Sequence, residues 1–293
     1  MRWHSPARTR VVRLGEVTLT HVLDGVMSLA PDRFAPEVPR TWWEAHPEQL
    51  DADGHLVMPA GGLLVESSGR TLLIDLGWGS FTGSHAFGDL RCGGFLDSLA
   101  ALGHRPDTID DVAFTHLHLD HIGWTSLPGT DEPRLTFGNA RHWVARAEWL
   151  AWQDHTGDHP GGPSKRDHLE PLSGALHLFD DGDEVLPGVR TMPTAGHSPG
   201  HTAFVVESAG TRVVAFGDVF HFPAQISNPE WCSLPDSDRD ATIHARRQVL
   251  AELSRPNTIG FGCHFADVAF GTVVREGETG HRWQPSPLAI VEA

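Results

Sequence analysis

The sequence predicts an α+β fold in which strands come first, strands mixed with helices follow, and the arrangement repeats in the second half. Two observations carry this. Short apolar runs of strand length alternate with turn signals, and only a few segments show helical spacing. Histidines and aspartates then recur just beyond the ends of those runs, where side chains from neighbouring strands can converge on one cleft.

Taken in order, "VTLTHVLDG" (17–25) alternates as a strand does. "GGLLVESSGRTLLIDLG" (61–77) reads as a hairpin, two apolar runs around a Ser68-Gly69 turn. "FLDSLAALG" (95–103) puts Phe95, Leu96, Leu99 and Leu102 on one helical face, with Gly103 as its stop. "DVAF" (111–114) is a short buried strand, "HWVA" (142–145) another, and "RAEWLAWQ" (146–153) a helix. Strands follow at 189–194, 202–208 and 211–217, then a helix at 239–253 carrying Ile243, Val249, Leu250 and Leu253. Strands at 258–262 and 267–274 close the pattern. Segments 26–59, rich in Pro and Trp, and 154–170 fit no element, and long irregular stretches in a compact domain are often functional loops.

At 293 residues, with 40% hydrophobic and 20% charged, the chain suits an ordinary soluble globular protein. It has no apolar run of membrane-spanning length and no secretory h-region, so cytoplasmic residence is the expectation. A net charge of −16 without basic runs argues against nucleic acid as partner. The 3 cysteines, Cys92, Cys232 and Cys263, lack any repeat spacing and read as free thiols.

The chemistry concentrates in "FTHLHLDHIGW" (114–124), where His116, His118, Asp120 and His121 crowd together. Burying four such groups without a cation would cost several kcal/mol. His197 in "PTAGHSPGH", Asp218 in "AFGDVFHF" and His264 in "GFGCHF" each follow a strand. Together these five imidazoles and two carboxylates suit zinc, and also iron, cobalt, nickel or manganese. They are too many for one tetrahedral ion and suit two metals sharing a carboxylate. The chain has 20 histidines, so His155, His159 and His168 in the polar loop are read as solvated or capped.

"THLHLDH", "GHSPGH", the "GD" after a strand and the isolated late histidine resemble the metallo-β-lactamase fold superfamily over roughly residues 60–275. Within it, "GDVFHFPAQISNPEW" (217–231) and the Pro/Trp-rich leader look most like the branch containing methyl parathion hydrolase and related lactonases. The resemblance implies a four-layer αββα sandwich, here one domain over 1–293 with 26–59 and 154–170 bordering the cleft. It implies that His116, His118 and His197 hold one metal, that Asp120, His121 and His264 hold the other, and that Asp218 bridges them. Two divalent ions, zinc foremost, would be the cofactors. Asp75, closing "LLID", matches a family position near the site, and reads equally as a turn aspartate.

Two metals about 3.5–4 Å apart lower the pKa of a bridging water towards neutral. The function expected is hydrolysis of a lactone or other carboxylic ester, with Asp120 orienting the nucleophile or taking its proton. A phosphotriester or thioester hydrolase, or a non-hydrolytic cyclase or accessory protein on the same scaffold, stays open. The partner expected is a small ester or lactone, with no nucleic acid and no membrane; a homodimer is one assembly the chain allows. The Trp- and Phe-rich segments "TWWEAH", "FHF" and "PEWC" are candidates for an apolar pocket wall as well as for plain core. Acyl-homoserine lactonases of this superfamily commonly place a tyrosine three residues past the bridging aspartate. Here that position is His221, the chain has no tyrosine, and His221 is the candidate to serve the substrate oxygen.

Overall fold

Two sheets account for most of the regular structure in the computed structural model, which describes residues 3–127, 129, 132–155, 161–277 and 280–287. The first holds β1 (Val11–Leu14), β2 (Val17–Leu29), β3 (Leu56–Ser67), β4 (Arg70–Ile74), β5 (Thr82–His85), β6 (Gly88–Cys92), β7 (Asp111–Ala113), β8 (Arg141–Ala145) and β9 (Leu176–Phe179). Their order is β5-β6-β2-β3-β4-β7-β8-β9, with β1 paired to β2 beside that path. The second sheet keeps chain order: β10 (Glu184–Leu186), β11 (Val189–Pro193), β12 (Thr202–Ser208), β13 (Thr211–Ala215), β14 (Thr258–Phe261), β15 (Phe270–Glu276) and β16 (Gly280–Pro285). Both are mixed: β4-β7-β8-β9 run parallel, as do β13 and β14, and the other pairs are antiparallel. The helices are α1 (Pro31–Phe34), α2 (Arg40–Ala45), α3 (Phe95–Ala101), α4 (Leu119–Ile122), α5 (Arg146–Trp152), α6 (Glu170–Ser173), α7 (Ala224–Ser227) and α8 (Arg239–Leu253).

The layering follows from the period-2 alternation of strand side chains. Leu63, Val65, Leu72 and Ile74 of the first sheet pack against Phe204, Val206, Val213 and Ala215 of the second, in one central core. Their neighbours Leu64, Leu73 and Val112 point the other way, onto Phe95 and Leu99 of α3 and Trp152 of α5. Ala203 and Val214 likewise face Ala245, Val249, Leu250 and Leu253 of α8. Helix, sheet, sheet and helix therefore stack as the predicted αββα sandwich. Ser68 and Gly69 both have positive φ, the condition for a two-residue hairpin turn, and join β3 to β4 as expected.

Segment 26–59 is more regular than its sequence suggested. β2 continues to Leu29 and β3 starts at Leu56, with α1, α2 and a helical turn at Pro47–Gln49 between them. Pro59 is tolerated within β3 because β4 pairs only with 63–67, leaving β3 without a neighbour on that side at Pro59. Of segment 154–170, residues 156–160, including His159, lie outside the described residues; Lys165–Leu169 forms a π-helical turn leading into α6. Residues 266–268 form a helical turn, so the strand expected from 267 begins at Phe270. Among the described residues no helix is long and apolar enough to cross a membrane.

Three histidines outside the cluster are buried as neutral rings. Burial lowers His21 to about 3, and His142 and His168 to about 4. Folded-state values below the unfolded value of about 6.5 mean that the unfolded chain binds more protons between the two. The stability at stake is whole above pH ~6.5 and is lost as pH falls towards 4 and 3. Urea unfolding of the metal-free protein should therefore show stability falling below pH ~6.5, by at most about 1.4 kcal/mol per pH unit for each ring. His142, fully buried and lowered mainly by that burial, is the clearest contributor, and H142F should flatten the slope. An unchanged slope in that variant would place the acid lability elsewhere.

Candidate metal centre

The ends of β4, β7, β11, β13 and β14 deliver the polar groups. Beyond β7 the backbone stays extended, and alternate residues of an extended chain share a side. His116 and His118 thus point one way while Leu117 enters the core. His118 then caps α4, whose first turn brings Asp120 and His121 to the same place. His197 follows β11, Asp218 follows β13 and His264 follows β14. Gly217, at φ 49°, makes the turn before Asp218; a Cβ there would lie 2.7 Å from His201 Nε2. Gly123 admits the Trp78 backbone, whose carbonyl carbon would lie 1.8 Å from a Cβ.

All seven predicted groups converge. His116, His118 and His197 each offer a ligand atom within 4.8 Å of the others, and Asp120, His121, Asp218 and His264 form a second such group. Asp218 links them: its Oδ1 lies 3.1 Å from His121 Nε2 and 3.1 Å from His264 Nε2, and its Oδ2 3.4 Å from His197 Nε2. His118 Nδ1 and His197 Nε2 face each other at 2.9 Å, and buried His116 Nε2 has no hydrogen-bond partner.

The far nitrogens of four rings are held. His121 Nδ1 donates to Asp75 (2.8 Å), His197 Nδ1 to Asp236 (2.9 Å) and His264 Nδ1 to the Pro59 carbonyl (2.8 Å). Thr115 Oγ1 donates to Asp75 and accepts from His116 Nδ1. Such contacts fix the tautomer, so that Nε2 presents its lone pair to the cluster. Asp75 is thus a support for the site rather than a plain turn residue, with φ 63° as its backbone cost. His201 supports the centre from behind, its Nε2 accepting from the Asp218 N–H.

The electrostatics fit divalent cations. Burial, and the imidazoles around it, push His116 well below its usual range, keeping it in the neutral form that can ligate. Burial opposes charge on Asp218, yet His121, His264 and His221 hold it well below the usual carboxylate range. Burial also opposes charge on His121, but Asp218, Asp120 and Asp75 raise it well above an ordinary histidine. Nitrogen and oxygen atoms facing one another at these distances, with unpartnered Nε2 at the centre, form a donor set suited to two such ions.

Above the cluster opens a cavity of about 320 Å³. Met27, Leu29, Phe34, Met58, Trp78 and Leu90 give it apolar walls, and His118, Asp120, His197, Asp218 and His221 line its polar end. Segment 26–59 thus supplies four of the apolar side chains, and among the described residues of 154–170 Gly161 lines it too. The other aromatic segments lie mostly behind the wall: Trp43 and Phe222 are buried in the cluster that backs it, with Trp42 and Trp231 packed against them. His221 Nε2 is 3.2 Å from Asp218 Oδ2, without the alignment of a hydrogen bond, and its ring stands edge-on to Phe34. Cys263 packs beneath, Sγ 3.8 Å from Asp218 Oδ1, and all three cysteines are free.

Besides His201 and Thr115, three further supporting residues escaped the sequence reading. Glu148, buried on α5, accepts from Leu117 N, Trp152 Nε1, Ser198 Oγ and Gly200 N, tying the 114–121 loop to the 194–201 loop. Asp236 is held near pH 2 against its own burial, by the His197 hydrogen bond and nearby cationic groups. Arg246, fully buried on α8, pairs with it at 3.1 Å. Glu148 and Arg246 both fall at helical spacing among apolar residues, a legible signal; Asp236 lies in a loop without one.

The comparisons agree with this geometry. Residues 62–127 and 134–252 match the family described as "Metallo-beta-lactamase superfamily". The N-acyl homoserine lactonase AttM of Agrobacterium fabrum is 34% identical over 127 residues, 41% of this chain and 44% of that protein. An N-acyl homoserine lactonase of Bacillus cereus is 29% identical over 119 residues, 40% of each chain. The chain thus spans about two fifths of the length of these curated relatives. Among solved structures, AidC, a dizinc quorum-quenching lactonase, superposes with a TM-score of 0.84 at 22% identity, covering 96% of this chain and 98% of that one. The hydrolase AbOPH gives 0.82 at 24% identity with the same coverage. On the extent of the family match, and with fold and site in agreement, this chain belongs to the metallo-β-lactamase superfamily.

Proposed function

We propose that the protein is a metal-dependent hydrolase that opens a lactone or cleaves a related carboxylic ester. The observation that carries this is the pair of donor groups linked by Asp218 at the floor of an apolar-walled cavity. His116, His118 and His197 would hold one cation, Asp120, His121 and His264 the other, and Asp218 would reach both. Bound there, two divalent cations would supply Lewis acidity and a nucleophilic water near neutral pH. Similarity to a dizinc lactonase supports zinc as the metal and a lactone as the substrate.

The chain's own residues do the rest. The apolar wall takes the hydrocarbon part of the substrate and excludes water, leaving the ester group at the polar end. Asp120, partly open to the cavity, is placed to orient the attacking water and accept its proton. His221 faces the same space and can hydrogen-bond the substrate carbonyl or leaving oxygen, in the position where a tyrosine serves related lactonases. The water oxygen bonds to the acyl carbon as Asp120 takes its proton; the acyl C–O bond then breaks, and the leaving oxygen takes a proton from His221 or from the protonated Asp120. Met27, Leu29, Phe34 and Met58, with Gly161, line the space that sets the choice of substrate.

Reconstituted protein should approach two equivalents of zinc by elemental analysis and hydrolyse at least one member of a panel of lactones, esters, thioesters and phosphotriesters. Asp218→Ala should lower both metal content and turnover. Full activity with one equivalent bound would sink the two-cation reading, and two bound equivalents without turnover of any panel member would sink the hydrolase.

His221→Ala should cut turnover by roughly 10²-fold, the lower end of acid–base effects, with both metals retained. Near wild-type turnover would return His221 to packing. Met58→Trp should narrow the cavity and shift relative rates towards shorter acyl groups at unchanged metal content; a panel profile identical to wild type would remove that wall from substrate choice.

A further inference from the structure

The apolar stripe of α8 contains one residue of the wrong polarity. Arg246 stands three positions after Ile243 and four before Leu250, on the face that packs against the second sheet, and its side chain is fully buried. A buried ion pair costs more to desolvate than well-packed apolar residues of similar volume, and replacing the whole pair by such residues is often neutral or stabilising, whereas removing one partner alone strands the other charge. The charge is retained with its hydrogen bonds satisfied. Nε donates to the Val219 carbonyl (2.7 Å), Nη1 to the carbonyls of Pro229 (3.1 Å) and Trp231 (2.7 Å), and Nη2 to Asp236 Oδ2 (3.1 Å).

Each contact leads to the site. Val219 follows Asp218, so the Nε bond pins the turn carrying the shared carboxylate. Asp236 takes His197 Nδ1 on its other oxygen (2.9 Å), with Ser233 N as a third donor (2.8 Å). The Pro229 and Trp231 carbonyls belong to the segment that continues to Leu234 and Pro235 in the cavity wall. We propose that Arg246 and Asp236 are a buried positioning pair that fixes the ring of His197 and the turn of Asp218, and so sets the cation affinity of the three-histidine group. This rests on reading that group as a cation site. Asp236, at the edge of the cavity, acts through His197, and Arg246 through Asp236 and the Val219 carbonyl.

The test is metal affinity and ligand-field geometry in the full chain. Cobalt(II) is titrated into wild type, D236N, R246M and the double variant D236N/R246M. The dissociation constant of each equivalent is read by competition with a chromophoric chelator, and the visible cobalt spectrum is recorded. D236N should weaken one equivalent by about 10- to 100-fold, the usual cost of losing such an outer partner, and change the spectrum, leaving the other equivalent nearly as before. R246M should shift the same equivalent in the same direction. Because part of the Arg246 effect runs through Asp236, the double variant should lose less than the sum of the two single losses. It leaves neither buried charge unpaired, so it remains informative if R246M alone fails to fold. Folded D236N with wild-type affinities and spectrum would overturn the pair, as would additive losses in the double variant. Wild type that binds no cobalt would instead overturn the cation reading itself, and this inference with it.

Discussion

Everything at this centre depends on one carboxylate without an ordinary partner. Asp218 is buried, and among the described residues its ion-pair partners are all histidines. Its oxygens face the Nε2 atoms of His121, His264, His221 and His197 at 3.1–3.4 Å. An isolated buried anion is too costly to persist, so its charge must be balanced by what those rings hold. Protonated imidazolium can do this without a metal, as the raised His121 and His264 indicate. Divalent cations among the same atoms do it without crowding protons onto adjacent rings. The second solution suits the geometry, because each lone pair then has a cation to meet.

The fold is arranged to keep those rings from turning away. Strands β4 and β7 run parallel, as do β13 and β14, so their carboxyl ends open on one side. Five short connections reach the same point from both sheets. Connections of that kind would be loose without cross-ties, and the ties are carboxylates. Glu148 joins two ligand loops, Asp75 joins β4 to Thr115 and His121, and Asp236 joins His197 to α8 through Arg246. Asp24 does comparable work beside the cleft, accepting from Trp78 N, Gly79 N, Gly93 N, Phe95 N and Trp124 Nε1.

How much of this the sequence disclosed follows from whether a residue's neighbours explain it locally. Four metal-type groups within residues 116–121 have no cheap alternative, so that run was legible at once. The alternating runs at 61–74 and 202–215 gave the central strands because both faces of each are covered and both sets of alternate residues are apolar. β5 and β6, by contrast, read "TGSH" and "GDLRC"; their register comes from pairing with β2, a tertiary fact with no local pattern. The ends of β2 and β3 were obscured by the Pro- and Trp-rich segment between them. Glu148 and Arg246 were visible in principle as charges on apolar stripes. Asp236 was not, because its role exists only once α8 and the loop after β11 meet.

The carboxylates divide by what satisfies them, and that division separates scaffold from site. Asp24, Asp75, Glu148 and Asp236 accept from backbone N–H groups, indoles, hydroxyls, a guanidinium or the outer nitrogen of a histidine. Those donors are fixed in the fold, so these anions can serve as structural ties and have little left to offer a ligand. Asp218 instead faces inner imidazole nitrogens and a thiol, and Asp120 opens to the cavity. Neither is saturated by a donor that the fold holds in place for that purpose. A chain with 38 acidic residues and 22 basic ones has many candidate ligands by composition alone. Among the six described carboxylates around the site, donor saturation singles out the two whose remaining lone pairs meet those of the five histidines.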